Sequence, residues 1–391
     1  MLLVATVHAR ETLVAAAPAP KAPPDASAVS GVDPNTVFVA PDYERPAPRD
    51  EDGFRNSDGT RIAPPLTSVG KFYWDMLTTT RTPTNLRPLV PDLGFLRANR
   101  SETSVTWIGH STVLMQLAGI NVLSDPQFSE RASPFSWIGP KRRTLPAMSM
   151  DELPPIDVVV ISHDHYDHLD KASVLGLAAR FDPLFIVPLG MDVVLRDWGV
   201  TKVKALDWWQ HERVQSVAGR EIEVHAVPLH HWSSRTIFKR NATLWAGYVI
   251  RSVDFSFFFA GDTGYSNDFE RIGQKFGPID MALIPVGAYE PRWFMKPQHV
   301  NPEEAVRIHR DVRAKRSIGI HWGTFELTTE PIDAPRSEIP KALAAAGVPL
   351  DEFMLFELGE IGVWRAEQKV PDTRGQSPYN PKRQWRRGEP R

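Results

Sequence analysis

The feature that most limits what this chain can be is a short apolar run that ends in a cluster of histidines. Residues 156–162 (IDVVVIS) have the near-continuous apolar character of a strand buried on both faces. They lead directly into His163-Asp164-His165-Tyr166-Asp167-His168. Within a strand or helix, imidazoles this close in sequence would be divided between faces, whereas a loop at a strand's end can turn several of them towards one point. The 391 residues include no cysteine, so disulfides and thiolate metal sites are excluded. A transition metal in this chain must be held by His, Asp and Glu, a set that suits zinc in hydrolytic enzymes.

The rest of the chain is organised around that loop. Residues 1–65 are rich in Pro, Ala, Asp and Gly and lack hydrophobic periodicity, which predicts an extended or disordered arm. The first twenty residues are Ala-rich and end in small residues, as a secretory leader does. His8, Arg10 and Glu11 interrupt them, so export is left open. From Thr103, β-type runs follow one another, two of them joined around Gly119 as a hairpin. Beyond the histidine loop, helical patterns at 171–180 and 190–198 alternate with strands at 184–188 and 203–207. Further strands follow in EIEVHAVPL, LWAGYVIR, FSFFFAGD and SIGIHW. Asn301-Pro302-Glu303-Glu304 reads as a helix start with an Asn cap and a capping box. Two β-rich halves that both carry helices predict an α/β sandwich with its ligands on loops at one edge. Residues 66–370 form this domain, and 371–391 form a basic tail with six Lys and Arg against Asp372 and Glu389, a net of +4.

Three more ligand types stand at predicted strand ends: His231, Asp262 and His321. With His163, His165, Asp167 and His168 they make five imidazoles and two carboxylates, enough for two four- or five-coordinate zinc ions. A carboxylate between two cations can bridge them, and Asp262, in a Gly-Asp-Thr-Gly turn, fits that place.

The segments WIGHSTV, SDPQFSERASPFSWIGPKR, ELPPIDVVVISHDHYDHLD, LDWW, FFFAGDTGY, IPVGAYEPRWFMKPQHVNPEEAVRIH and IHWGTF closely resemble the N-acyl-phosphatidylethanolamine-hydrolysing phospholipases D of the metallo-β-lactamase superfamily. The resemblance runs from about Thr103 to Glu330. It implies an αββα sandwich with a binuclear zinc site at one sheet edge. It also implies that His163, His165 and His231 hold one zinc ion, that Asp167, His168 and His321 hold the other, and that Asp262 bridges them. The family's ligand is the His before Trp232, which selects His231 over His230. Asp167, Asp262 and His299 are then the expected catalytic residues, and Tyr166, Gln298, His299 and Trp137 the expected substrate contacts. His110 and Asp125 are expected to orient ligands, and Lys141, Arg142 and Arg143 are candidates for a phosphate contact or for a solvated surface. Where the family has Gln-Tyr before Gly-Pro-Lys-Arg, this chain has Ser136-Trp137, which leaves head-group and acyl preference open.

The implied reaction is zinc-dependent phosphodiester hydrolysis of N-acyl-phosphatidylethanolamine to N-acylethanolamine and phosphatidate. The rivals are a lactonase or nuclease on the same fold, and a non-catalytic lipid-binding protein. A nuclease is expected to carry a basic groove, which a net charge of −2 does not suggest, so no nucleic-acid partner is expected. A complete ligand set speaks against a non-enzyme. The expected partner is phospholipid at a membrane surface, reached peripherally through the apolar residues of 66–100 and the basic tail. A homodimer, and a cytoplasmic or exported location, are left open.

Overall fold

Consecutive strands from Thr103 pair through tight turns because each carries residues that can be buried on both faces. In the computed structural model, which describes residues 44–81, 84, 86–235, 239–365 and 384–387, Thr103–Gly109, Thr112–Leu117 and Ile120–Ser124 form an antiparallel meander. The turn between the last two falls at Ala118-Gly119, both at positive φ. Val158–Val160, Leu184–Pro188 and Val203–Leu206 then add in parallel. On the other side, Ile361–Arg365 pairs with Thr103–Gly109, and Gln384–Arg387 pairs with Ile361–Arg365. Among the described residues this sheet has eight strands.

The second sheet has seven strands among the described residues. His211–Gln215, Glu221–Val227, Gly247–Arg251 and Ser256–Phe259 are antiparallel, and Met281–Pro285, Ser317–Ile320 and Phe353–Met354 continue in parallel. One large apolar cluster draws on both sheets, with Trp107, Val113 and Met115 from the first and Phe257, Phe259 and Leu283 from the second. The helices Asp268–Phe276, Pro302–Asp311 and Pro335–Ala346 add Phe269, Ile308 and Ile339 to it. A second cluster joins Leu114, Val159 and Phe185 to Val174, Leu177 and Leu195 of the helices Lys171–Phe181 and Met191–Asp197. The layers are helix, sheet, sheet, helix, as the sequence predicts.

Parallel pairing positions the site. The register Phe259↔Leu283 and Pro285↔Ile320 brings the C-terminal ends of three strands to one edge. Bonds between the two sheets bring the His163 loop to the same edge: Ala246 N–H donates to Ser162 O at 2.9 Å, and Tyr248 Oη to Ile161 O at 2.9 Å. The predicted helix start at Asn301 is present, with Asn301 Oδ1 accepting from Glu304 N at 3.0 Å and Glu304 Oε2 accepting from Asn301 N at 3.2 Å.

Two expectations are corrected. Residues 44–65 are not an extended arm: Phe54, Asn56 and Ile62 are buried, and Phe54 N–H donates to Asn241 O at 2.8 Å. Two isolated apolar anchors and a local network of Asp50, Arg55 and Arg61 hold this stretch, so it needs no periodicity. Within the predicted tail, Gln384–Arg387 is a strand. Residues 1–43, and the tail on either side of that strand, lie outside the described residues.

Candidate metal centre

Each side chain of the centre is placed by the end of a strand. His163, His165, Asp167 and His168 follow Val158–Val160; His231 follows Glu221–Val227; Asp262 follows Ser256–Phe259; and His321 follows Ser317–Ile320. The backbone here is unusually constrained. His110, Asp125 and His321 all have positive φ, which non-glycine residues rarely adopt and which is held only where surrounding contacts fix it. Gly261, also at positive φ, lies so close to Ser162 that a Cβ would come within 2.6 Å of the serine Cβ. That close approach puts the following residue, Asp262, beside the histidine loop.

Two groups form. In the first, His163 Nε2 lies 2.9 Å from His165 Nδ1, and His231 Nε2 lies 3.3 Å from the same atom. In the second, Asp167 Oδ2 is 3.3 Å from His168 Nε2 and 3.4 Å from His321 Nε2. Asp262 stands between them, its Oδ2 2.9 Å from His168 Nε2, 3.1 Å from His321 Nε2 and 4.0 Å from His163 Nε2. Within each of the sets His163-His165-His231, His110-Asp167-His168-His321, His163-His168-Asp262 and His231-Asp262-His299, the potential ligand atoms lie within 4.8 Å of one another.

The charge states fit a cation site. Burial holds His163 and His231 well below the ordinary imidazole pKa and lowers His165 and His299 to about 3, so these rings are neutral and have a lone pair to give. Burial also acts against charge on His168 and His321, but Asp262 foremost overcomes it, holding His168 well above its usual value and His321 at about 9. For Asp167 and Asp262, burial would raise the pKa, yet His168 foremost keeps both well below the carboxylate range. Buried carboxylates facing converging imidazoles demand positive charge, which protons on His168 and His321 supply here and a divalent ion could supply in their place. His165 Nε2, His168 Nε2, Asp262 Oδ1 and His299 Nδ1 are buried without a hydrogen-bond partner, which also fits a metal-binding centre.

Supporting groups fix the rings. Asp125 Oδ2 lies 2.6 Å from His168 Nδ1, Ser162 Oγ 2.9 Å from His163 Nδ1, and the Gln298 carbonyl 2.9 Å from His231 Nδ1. His110 Nε2 lies 3.0 Å from Asp167 Oδ2. Asp125 and His110 thus lie within hydrogen-bond reach of His168 and Asp167, the contact that an orienting role requires. Asn56 Oδ1 accepts from the backbone N–H of His231 at 2.9 Å, a support that the sequence did not disclose. His230 faces away, with Nδ1 2.8 Å from Pro297 O.

The expected substrate contacts divide. His299 lies beside Asp262, Nδ1 to Oδ2 3.9 Å. Tyr166 Oη donates to Arg235 O at 2.9 Å, with the Arg235 guanidinium over its ring. Gln298 is buried, and its Oε1 accepts from Trp232 Nε1 at 2.6 Å, so in this structure it supports His231 and Trp232 instead of lining an open surface. Trp137 is 73% exposed at the tip of a loop and is not drawn into the cluster. The basic triplet also divides: Lys141 pairs with Glu130, Arg143 with Glu326, and Arg142 is buried, so a phosphate contact by Arg142 is not what the structure presents.

A family model described as a β-lactamase superfamily domain matches residues 120–322, the stretch that carries His163, His165, Asp167, His168, His231, Asp262 and His321. The chain belongs to the metallo-β-lactamase superfamily. Within that superfamily it is 40% identical over 274 residues to N-acyl-phosphatidylethanolamine-hydrolyzing phospholipase D 1 of Caenorhabditis elegans, covering 68% of this chain and 76% of that one. It is 37% identical over 259 residues to the mitochondrial N-acyl-phosphatidylethanolamine-hydrolyzing phospholipase D of Saccharomyces cerevisiae, covering 65% of this chain and 54% of that one. Among solved structures, Igni18, a metallo hydrolase from Ignicoccus hospitalis, superposes with a TM-score of 0.52 at 21% identity, covering 68% of this chain and 99% of its own. The chain is therefore a metallo-β-lactamase-fold hydrolase and a homologue of the phospholipases D.

Proposed function

We propose that this chain is a zinc-dependent phospholipase D that cleaves N-acyl-phosphatidylethanolamine into N-acylethanolamine and phosphatidate. The observation that carries this reading is the convergence of five imidazoles and two carboxylates on one sheet edge, in a chain whose nematode and yeast relatives are named for that lipid. His163, His165 and His231 would hold one zinc ion and Asp167, His168 and His321 the other, with Asp262 between them. When bound, the two ions lower the pKa of water and offset charge on a phosphodiester. Asp167 and Asp262 balance part of the added positive charge, and Asp125, Ser162 and the Gln298 carbonyl keep the imidazoles in their binding tautomers. His299, a neutral ring with a free Nδ1, is suited to hydrogen-bond a substrate oxygen beside Asp262.

Access to lipid is proposed to be peripheral. Tyr73, Trp74 and Leu77 project from the helix Leu66–Thr78, and Phe135, Trp137 and Ile138 project from the loop after Asp125. No described helix is long and apolar enough to cross a membrane.

The test is a phospholipid panel presented to the purified protein, with mass spectrometry of the products. N-Acylethanolamine and phosphatidate released in equal amounts from N-acyl-phosphatidylethanolamine are the expected result. Turnover confined to lactones or RNA would move the chain to another hydrolase activity on the same fold.

A further inference from the structure

The loop of residues 126–143 leaves the first sheet directly after Asp125. Its limbs close on each other, Arg142 N–H donating to Glu130 O at 2.8 Å and Ala132 N–H to Pro140 O at 3.0 Å. The returning limb then runs beside the residues that follow His321: Arg142 and Phe325 form an antiparallel bridge, and Arg143 N–H donates to Thr324 O at 2.8 Å.

Arg142 is the anomalous group in this loop. It is 9% exposed. Nε donates to Ser129 O at 2.8 Å and Nη2 to Gln127 Oε1 at 2.9 Å and to Gln127 O, while Nη1 is buried with no partner. Asp170 acts on it through space, without a hydrogen bond, and burial lowers its pKa to about 10. A buried guanidinium without a paired carboxylate is costly to keep. Tying two limbs of a loop together needs only neutral donors, so loop closure alone does not account for a cation here.

The face of a neighbouring ring lies within reach of that charge. The Arg142 guanidinium carbon lies 5.1 Å from the centroid of Phe325. Phe325 in turn stands edge-on to His110, with centroids 5.2 Å apart and planes at 86°. The other end of His110, Nε2, meets Asp167 Oδ2 at 3.0 Å. A chain of contacts thus runs from Arg142 through one aromatic ring and one imidazole to a carboxylate of the second ligand group.

We propose that Arg142 is a positioning residue of the metal centre: its guanidinium fixes the Phe325 ring, Phe325 fixes His110, and His110 aims Asp167 at the point shared with His168 and His321. The proposal rests on the two-zinc reading above and adds that the second ion, not the first, depends on the 126–143 loop. A loop clasp of purely structural value would affect both ions alike, through stability.

The experiment is a zinc titration against a chromophoric chelator, with wild-type protein as reference. If the wild type does not bind two ions, the two-zinc reading fails independently of Arg142. Given two ions, Arg142→Met is expected to weaken one of them about tenfold or more and leave the other unchanged, a size typical of groups that orient metal ligands. Phe325→Leu is expected to weaken the same ion, and the double variant to be no weaker than the more affected single variant, because both act through one path. Arg142→Lys keeps the charge but not the planar face and is expected to shift the same ion in the same direction, which provides a reading if the methionine variant does not fold. Arg143→Ala, whose side chain pairs with Glu326, is expected to leave both affinities unchanged. Unchanged affinities in both Arg142 variants, equal weakening of both ions, additive losses in the double variant, or an equal loss in Arg143→Ala would each overturn the proposal.

Discussion

Asp262 is where the two ligand groups meet, its Oδ2 within 3.1 Å of both His168 Nε2 and His321 Nε2 and 4.0 Å from His163 Nε2. On the two-zinc reading, elemental analysis of protein purified without chelator is expected to give about two zinc ions per chain, since seven ligands exceed what one tetrahedral ion can use. Asp262→Asn keeps the shape and removes the charge. It is expected to lower affinity for both ions and to reduce activity at least about a hundredfold, whereas a variant with full metal content and near-normal turnover would remove Asp262 from the bridge. That these seven side chains would come together was legible in the sequence because each follows an apolar strand. Asn56 was not. It lies in a polar stretch whose composition is that of any turn, and its role arises only through contact with His231, 175 residues away. Gln298 was expected as a substrate contact beside His299; that its Oε1 accepts from Trp232 Nε1 is a long-range pairing sequence cannot disclose.

At the scale of elements, the helix Leu66–Thr78 has two apolar faces with different uses. Phe72 points inward and stacks on Phe294 with centroids 4.5 Å apart, while Tyr73, Trp74 and Leu77 recur at helical spacing on the outer side. Replacing those three with serine is expected to reduce co-sedimentation with phospholipid vesicles by on the order of tenfold or more, given the apolar area each would bury, while hydrolysis of a soluble short-chain analogue is retained. Phe72→Ser is expected to act differently, lowering the melting temperature through a destabilisation of about 3 kcal/mol. Unchanged vesicle binding in the triple variant would exclude this helix as the anchor. The sequence showed an excess of large apolar residues here but not which of them face out, because neither face is polar enough to mark the boundary. The Asn301 helix was the opposite case: cap, proline and Glu304 are local signals, and local chemistry alone determines where it starts. Residues 44–65 were misread for want of such signals, since Phe54 and Ile62 are isolated anchors without a period.

For the molecule as a whole, the alternation of strands and helices after the histidine loop was enough to anticipate a layered α/β fold. The pairing of Ile361–Arg365 with Thr103–Gly109, and of Gln384–Arg387 with Ile361–Arg365, was not anticipated, because it joins the two ends of the domain and the later segment has the basic composition of a tail. The proposed reaction would leave a clear isotopic mark. With hydrolysis in oxygen-labelled water, the label is expected in phosphatidate, since attack at phosphorus breaks the bond to the ethanolamide oxygen. Label in the N-acylethanolamine would mean carbon–oxygen cleavage and a different chemistry. The order of the ligands along the chain also has a bearing on biosynthesis. His163, His165 and His231 all precede Asp262, and His321 comes last, from a strand that pairs only after Met281–Pro285 has been made. On a ribosome, where the chain emerges from its N-terminus, all three members of the first group are made while the second still lacks His321, so the two halves of the centre become complete at different times.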